Sequence, residues 1–523
     1  MKAKSPDSLS VTEDQLKLAF DRFKKDYPRR VFVDEPLLLD WLSVNSADWI
    51  NSIGLKLDEG FVPQPAYLQW VPKPDFALRP ARLLDPADQF VYTLILSRLY
   101  PAIETTLRLL QGAPDVAYPL NSDHSAPDWI NSGVKEWREF SRKSIDKLDC
   151  GFNWMVSTDV VAFYDNIDHA RLLSTLREFL GQDCTDLRLL RSCLRTWSHG
   201  LEKGIPQGYS ASDILAKAYL FSFDLEIRQA GLEHLRYVDD LRLFCSSEQS
   251  ARAGLATVIR LLHSRGLAAN SAKSTILDKN QAVAKINDVT TAIDRIQKEL
   301  RQEIEEEFDG YPTSSDVLQM IESADPAEVT VLEHAFLEYF GKPGQAFNKS
   351  LFHFLLRRLG RAKSRVAVDF CIDALFHHPE ETPDLVDYFR AVTLSSDETE
   401  RVFGFLSDDF AIYDYQLYHL CRWLEALENL PDRVRALLRN WCEDGRRDPC
   451  LRHTAILLLG RKGDSSDREC VFRLYVSANE KTRCYIIEAL RDMEIARRNS
   501  WYAEAGKQSP LLQRAVAHGR RSA

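Results

Sequence analysis

Apolar residues recur at helical spacing through most of the chain, broken by a few short runs with strand character. Leu16, Ala19, Phe20 and Phe23 form one face of a helix within residues 1–30, and Thr12 with Gln15 three positions on predicts a capping box at its start. Residues 31–150 mix helical patterns with Pro-rich loops. The run FNWMVST (152–158) predicts a strand, followed by a turn and a helix over His169–Leu180. Residues 210–230 predict a long helix closed by Gly231. LRYVDDLRLFC (235–245) predicts two short strands with Asp239 and Asp240 at the turn, and residues 248–265 a helix ended by Gly266.

After about residue 280 the texture changes. The pattern predicts a charged helix from Ile286 to Phe308 with an acidic end (Glu303, Glu305, Glu306, Glu307), then a loop over 310–316. From 317 to 523 the periodicity is helical, almost without strand pattern. Arg452, Ile456 and Leu459 match Arg483, Ile487 and Leu490 about 31 residues on, and Leu427 precedes Leu459 at a similar gap, which predicts stacked helical hairpins. The expected domains are a helical segment (1–60), a mixed α+β domain (61–285), a linker (286–316) and an α-helical repeat domain (317–523).

Composition narrows the class. With 45% hydrophobic and 28% charged residues in 523, the chain is an ordinary globular one, not a disordered one. No apolar run reaches the length of a membrane span, and MKAKSPDSLS has no apolar core, so a cytoplasmic protein with no membrane partner is expected. The net charge of −10 argues against a generally basic nucleic-acid coat but leaves room for a local basic channel. The ten cysteines include no CxxC pair and read as reduced core thiols. His377-His378 reads as a helix end. Two arginine-rich patches (Arg357, Arg358, Arg361, Lys363, Arg365; Arg446, Arg447, Arg452, Arg461, Lys462) with Tyr413, Tyr415 and Trp423 suit either single-stranded nucleic acid or a charge-balanced surface.

Three segments carry chemistry: STDVVAFYDNIDH (157–169), GIPQGYSAS (204–212) and YVDD (237–240). Phosphoryl transfer with two metal ions needs carboxylates from separate strands to converge. Asp159 at a strand end and Asp239 at a hairpin turn supply them if the strands are neighbours. Adjacent buried Asp residues repel one another without a cation, so a metal accounts for their pairing.

In this order the segments resemble motifs A, B and C of the reverse transcriptase palm. SRGLAANSAKST (264–275) resembles motif D, and VPKPDFALRPARLLDPADQFVY (71–92) the fingers. The resemblance covers roughly residues 60–280 and implies an α+β fold, with fingers and an antiparallel palm sheet followed by an all-α HEAT-like region replacing the thumb. It implies two Mg²⁺ ions, with Mn²⁺ as a substitute, held by Asp159, Asp239, the more peripheral Asp240 and the carbonyl of Val160. Lys73 and Arg79, with Arg82 competing for the second place, would hold the triphosphate of a dNTP. Phe163 and Tyr164 would line the nucleotide, Tyr164 rejecting a 2′-hydroxyl. Gln207 and Gly208 would line the nucleotide and template side, and Lys273 would donate a proton to the departing pyrophosphate.

The charged, partly acidic stretch after motif D is unlike a basic thumb. A palm fused to a long helical domain is similar to bacterial abortive-infection and defence-associated reverse transcriptases. That similarity implies an antiphage DNA polymerase making single-stranded DNA, with RNA as template or associated non-coding RNA, and homo-oligomerisation. It also leaves open synthesis without a conventional template, or synthesis started on a protein hydroxyl, for which Tyr27, Tyr413, Tyr415 and Tyr502 are candidates. The alternatives are a retron- or retroelement-type enzyme, an RNA-dependent RNA polymerase, and a catalytically silent palm used as sensor or scaffold. Tyr164 stands where RNA polymerases of this palm carry an Asp, which favours dNTPs.

Overall fold

The computed structural model describes residues 9–27, 35, 37–109, 114–130, 134–287, 326–342 and 347–521. The expected charged helix with its acidic run, and the loop over 310–316, lie outside the described residues from 288 on. By internal contacts the chain divides into two units. The first comprises Met1–Phe32, Ser46–Leu68 and Ala81–Asn287, and the second Val33–Asn45, Gln69–Pro80 and Asp288–Ala523.

Two strands, β1 (Tyr67–Pro72) and β2 (Leu78–Leu83), form a small hairpin whose distal part falls in the second unit. In the first unit β3 (Trp154–Asp159), β4 (Glu233–Tyr237), β5 (Asp240–Cys245) and β6 (Thr275–Asp278) make an antiparallel sheet in the order β4-β5-β3-β6. Alternation along the strands sorts the side chains. Met155, Leu235 and Phe244 face one way and pack with Phe140 and Leu148 of the Val134–Asp149 helix. Leu243 faces the other way, where it meets the Glu248–His263 helix at Gly254. Helices therefore cover both faces of a short sheet. The N-terminal helix, Glu13–Asp26, begins with the Thr12–Gln15 capping box, and Phe20 and Phe23 pack with Trp49 and Phe90. Its last residue, Asp26, accepts from the backbone N–H of Ser210 at 3.2 Å, capping the Ser210–Gln229 helix from another part of the chain.

In the second unit the helices stack in two rows. Lys349–Arg361, Thr382–Val392, Asp414–Ala426, Pro449–Lys462, Glu480–Ala489 and Pro510–Arg521 each pack on the next. In the other row Val368–His377 packs on Ser396–Leu406, and Asp432–Glu443 on Ser465–Leu474. Arg452 Nε donates to Cys442 O (3.2 Å) and Arg483 Nε to Tyr475 O (3.1 Å), while Ile456, Leu459, Ile487 and Leu490 are all buried. Far from these helices in sequence, the Leu38–Ser43 helix packs on Pro510–Arg521, and Trp41 Nε1 donates to the buried Glu488 carboxylate at 2.9 Å.

Close helix contact explains Gly460: a Cβ there would lie 2.1 Å from Ala489 O. Gly460→Ala is expected to cost about 3 kcal/mol or more through overpacking, read as a lowered midpoint in thermal or urea unfolding. A midpoint within about 1 °C of wild type would contradict the packing described.

Several cations of the two arginine-rich patches are paired with acids. Arg447 pairs with Asp414 (2.6 Å), Arg461 with Glu425 (2.5 Å) and Arg357 with Asp384 (3.3 Å), while Arg365 pairs with Glu398. Tyr415 and Trp423 are buried and do not form a stacking platform. His377 ends its helix and His378 stacks on Phe347. None of the ten cysteines is in a disulfide bond, and eight of them are buried. No described helix is long and apolar enough to cross a membrane.

Candidate active site

The sheet brings the sequence-predicted acids together. Asp159, last residue of β3, stands opposite Asp240, first residue of β5, and Asp239 lies in the turn just before it. The turn is a strained one: Val238, a β-branched residue, sits at φ 56°. It is held from beneath. Arg236 Nη1 donates to Val238 O at 2.7 Å, and the buried Arg236 guanidinium pairs with Asp224 (2.7 Å) and Asp115 (3.1 Å). Against a burial penalty that would raise it, Arg236 and His234 hold the Asp224 carboxyl down to about 2. This support under the hairpin was not read from sequence. A charged residue alternating into a short strand was its only signal.

Burial, and then the charges of Asp159 and Asp240, push the Asp239 carboxyl up to about 6. Asp240 is raised for the same reasons, burial first and Asp159 next. Lys273 Nζ lies 3.0 Å from Asp159 Oδ2, and that contact raises the lysine in turn. Asn270, also missed, anchors the segment that presents Lys273. Its backbone N–H donates to Asp159 O (2.7 Å) and its amide to Asp159 Oδ2 (3.3 Å). Val160 is buried and bridges to Ala269.

Hard oxygen donors that repel one another when ionised suit a hard divalent cation such as Mg²⁺ or Mn²⁺. Among the described residues, the one His/Cys/Asp/Glu group whose ligand atoms lie within 4.8 Å of one another is elsewhere: His353, Glu381 and Asp384. Lys349 (2.7 Å from Glu381) and Arg357 (3.3 Å from Asp384) already balance that group. The palm acids are thus more open than a closed cage.

Phe163 and Tyr164 follow Ala162, whose φ of 45° turns the chain sharply after β3. Both are buried. The Tyr164 hydroxyl donates to Asp213 Oδ1 at 2.6 Å. Burial, with the Asp213 charge, drives the phenol well above its ordinary value, and burial pushes Asp213 up to about 7. The second motif is tied to the first by backbone: Ile205 N–H donates to Tyr164 O (2.9 Å) and Gly204 N–H to Ile167 O (2.8 Å). Gln207 and Gly208 form the turn before the Ser210–Gln229 helix, both half-buried, Gly208 at φ 89°.

Arg82 is buried and pairs with Asp165 at 2.6 Å, its guanidinium against Gly204. This makes it a tie between the two motifs, which weighs for Arg79 in the triphosphate role. Lys73 and Arg79 sit on the hairpin segment Gln69–Pro80, which belongs to the second unit, whereas the acids belong to the first. There Gln69 Nε2 donates to Asp448 Oδ2 (3.1 Å), and Arg79 acts electrostatically on Tyr415. Of the four priming candidates, Tyr27, Tyr415 and Tyr502 are buried, and the Tyr502 hydroxyl is committed to Ile487 O at 2.8 Å. None of these three presents a nucleophile as folded. Tyr413, half-buried at a helix start, is the remaining one.

Residues 71–299 match the family described as reverse transcriptase (RNA-dependent DNA polymerase). No curated protein sequence matches the chain. Among solved structures, an apo telomerase of Candida tropicalis lacking its C-terminal domain is similar at 14% identity and a TM-score of 0.31, over 41% of this chain and 50% of that one. The telomerase of Candida albicans, in complex with a fragment of telomeric RNA, is similar at 10% identity and a TM-score of 0.33, over 83% and 65%. The chain thus spans between half and about two thirds of the length of these two telomerases.

Proposed function

We propose that the chain polymerises dNTPs at Asp159, Asp239 and Asp240, as a nucleotidyltransferase of the RNA-directed DNA polymerase class whose family residues 71–299 match. The observation that carries the reading is the in-register pairing of Asp159 with Asp240, with Asp239 at the adjoining turn. Held by these three carboxylates and the Val160 carbonyl, divalent cations would supply the Lewis acidity that activates a primer hydroxyl and offsets charge on the departing pyrophosphate. The protein's own part is positioning and proton management. Tyr164 closes the sugar side, and Gln207 and Gly208 border the base. Lys73 and Arg79 are the cations for the triphosphate. Lys273 hands a proton to the leaving oxygen, and its ion pair with Asp159 keeps it charged until then.

The helical stack is read as HEAT-like repeats in place of a thumb, and the whole as a defence polymerase of the abortive-infection kind, with single-stranded DNA as product. The two-row stacking of the helices and the paired arginines support the repeat reading, a protein scaffold more than a duplex clamp; the defence role rests on the resemblance alone. Phage plating on cells carrying the wild type or the Asp239→Asn/Asp240→Asn chain tests the defence role. Equal plaque counts on the two would remove it. Purifying the protein with its bound nucleic acid and digesting separately with DNase, RNase and protease shows what is made, whether RNA accompanies it, and whether DNA is attached to protein.

Sugar choice tests the polymerase class. Tyr164→Ala is expected to admit rNTPs, reducing the preference for dNTPs by about a hundredfold, or about 3 kcal/mol at 1.4 kcal/mol per decade. Equal use of rNTPs and dNTPs by the wild type would favour an RNA polymerase.

A further inference from the structure

The site contains a carboxylate that no motif assigns. Asp213 lies in the first turn of the Ser210–Gln229 helix, half-buried, and accepts the Tyr164 hydroxyl at 2.6 Å. A tyrosine ring turns about two side-chain torsions. Fixing its far end as well as its backbone leaves one orientation. Here both ends are fixed: the Tyr164 carbonyl accepts from Ile205 N–H, and the hydroxyl is held by Asp213. The anchor is itself anchored, because Asp26 caps the same helix at Ser210. Lys217, one turn further along that helix, is committed to Asp115 (2.8 Å) and the Ala117 carbonyl, which leaves the Asp213 carboxyl to the phenol. Asp26, Lys217, Tyr92, Tyr118, Tyr164 and Tyr237 are charged and titratable groups that interact with it.

We propose that Asp213 is the positioning residue for Tyr164: it holds the ring where its edge meets C2′ of the incoming nucleotide, so that discrimination against ribonucleotides depends on the Tyr164–Asp213 hydrogen bond. The inference rests on the sugar-selecting role of Tyr164. Asp213 touches neither the sugar nor the reacting phosphate. It acts through the phenol, and an Asn, whose amide oxygen also accepts, replaces it.

The test compares dATP with ATP as the single nucleotide, in Mg²⁺, with the full-length chain and its co-purified nucleic acid. The readout is the ratio of kcat/KM values. Asp213→Ala is expected to lower the dATP-over-ATP ratio about tenfold or more, the size of one hydrogen bond to a charged group, and Asp213→Asn to restore most of it. Tyr164→Phe, which keeps the ring and removes the donor, is expected to reproduce the Asp213→Ala ratio. The double variant Tyr164→Phe/Asp213→Ala should fall no further, since both changes break one bond. If Asp213→Ala fails to fold, Tyr164→Phe against Asp213→Asn carries the same comparison. A ratio that moves in Tyr164→Ala but stays at the wild-type value in Tyr164→Phe and Asp213→Ala overturns the positioning role and leaves the sugar-selecting role standing. A ratio unmoved in Tyr164→Ala overturns both.

Discussion

Replacing Asp239 and Asp240 together by Ala is expected to abolish nucleotide incorporation, by about a thousandfold or more, while the fold survives. A thousandfold is about 4 kcal/mol of lost transition-state stabilisation, a modest demand for removing two of the three acids that would hold the cations. The fold survives because both residues lie at a turn and a strand start, not in the apolar layers of the sheet. In the absence of divalent ions the same double variant is expected to be more stable than the wild type. Asp239 titrates at about 6 in the folded chain and at about 4 when unfolded. A carboxyl raised in this way favours the fold at low pH, and that advantage is lost as pH rises through about 6. The loss is at most about 3 kcal/mol, since each tenfold change in proton affinity is worth about 1.4 kcal/mol. Thermal unfolding in EDTA should therefore show the stability of the wild type relative to Asp239→Asn rising between about pH 7 and about pH 5. Asp213 and Asp88, both raised to about 7 by burial, add a slope of the same sign, the buried His169, His419 and His453, all lowered by burial, add one of the opposite sign, and the comparison subtracts both. Added Mg²⁺ should raise the wild-type midpoint at neutral pH and leave the double variant unmoved.

The second large effect concerns the helical unit. A fragment ending at residue 300 keeps the whole palm sheet, yet is expected to lose about a hundredfold or more of its incorporation rate, two decades or about 3 kcal/mol. The cause lies in the hairpin that carries Lys73 and Arg79. Its segment Gln69–Pro80 clusters with the C-terminal helices, and Gln69 bonds Asp448 in a buried contact. On the proposed triphosphate role of Lys73 and Arg79, removing those helices removes the surface that their hairpin segment packs on. Lost orientation is worth orders of magnitude in rate. A milder change isolates the effect. Gln69→Ala in the full-length chain should raise KM for dNTPs several-fold with a smaller change in kcat. A 1–300 fragment with full incorporation would make the helical unit an independent module.

Local features of the site were legible where a single segment determines them. The Thr12–Gln15 box, the His169–Leu180 helix and the glycines at 231 and 266 all stand where cap chemistry and periodicity put them. The YVDD hairpin was legible for the same reason, although Asp240 belongs to the strand and only Asp239 to the turn. The rest depends on residues far apart in sequence. Arg82 competes with Arg79 as a phosphate hook until Asp165, 83 positions on, is seen to hold it. The arginine patches suit either nucleic acid or a balanced surface until acids are placed beside them, as with Arg447 and Asp414, 33 positions apart. The grouping of Val33–Asn45 and Gln69–Pro80 with the C-terminal helices has no local signal, because Trp41 and Gln69 find Glu488 and Asp448 only through the fold. Tyr502 shows the same limit: its pattern is that of any aromatic on a helix, and only packing reveals that its hydroxyl is spent on Ile487 O.

The most direct test of polymerisation at the three acids is incorporation of labelled dNTP by the purified full-length chain in Mg²⁺, with its co-purified nucleic acid, beside the Asp239→Asn/Asp240→Asn variant. A DNase-sensitive labelled product is expected from the wild type, dependent on the divalent ion, and none from the variant. Equal labelling by the two proteins, or no labelling by the wild type in either Mg²⁺ or Mn²⁺, would contradict that assignment.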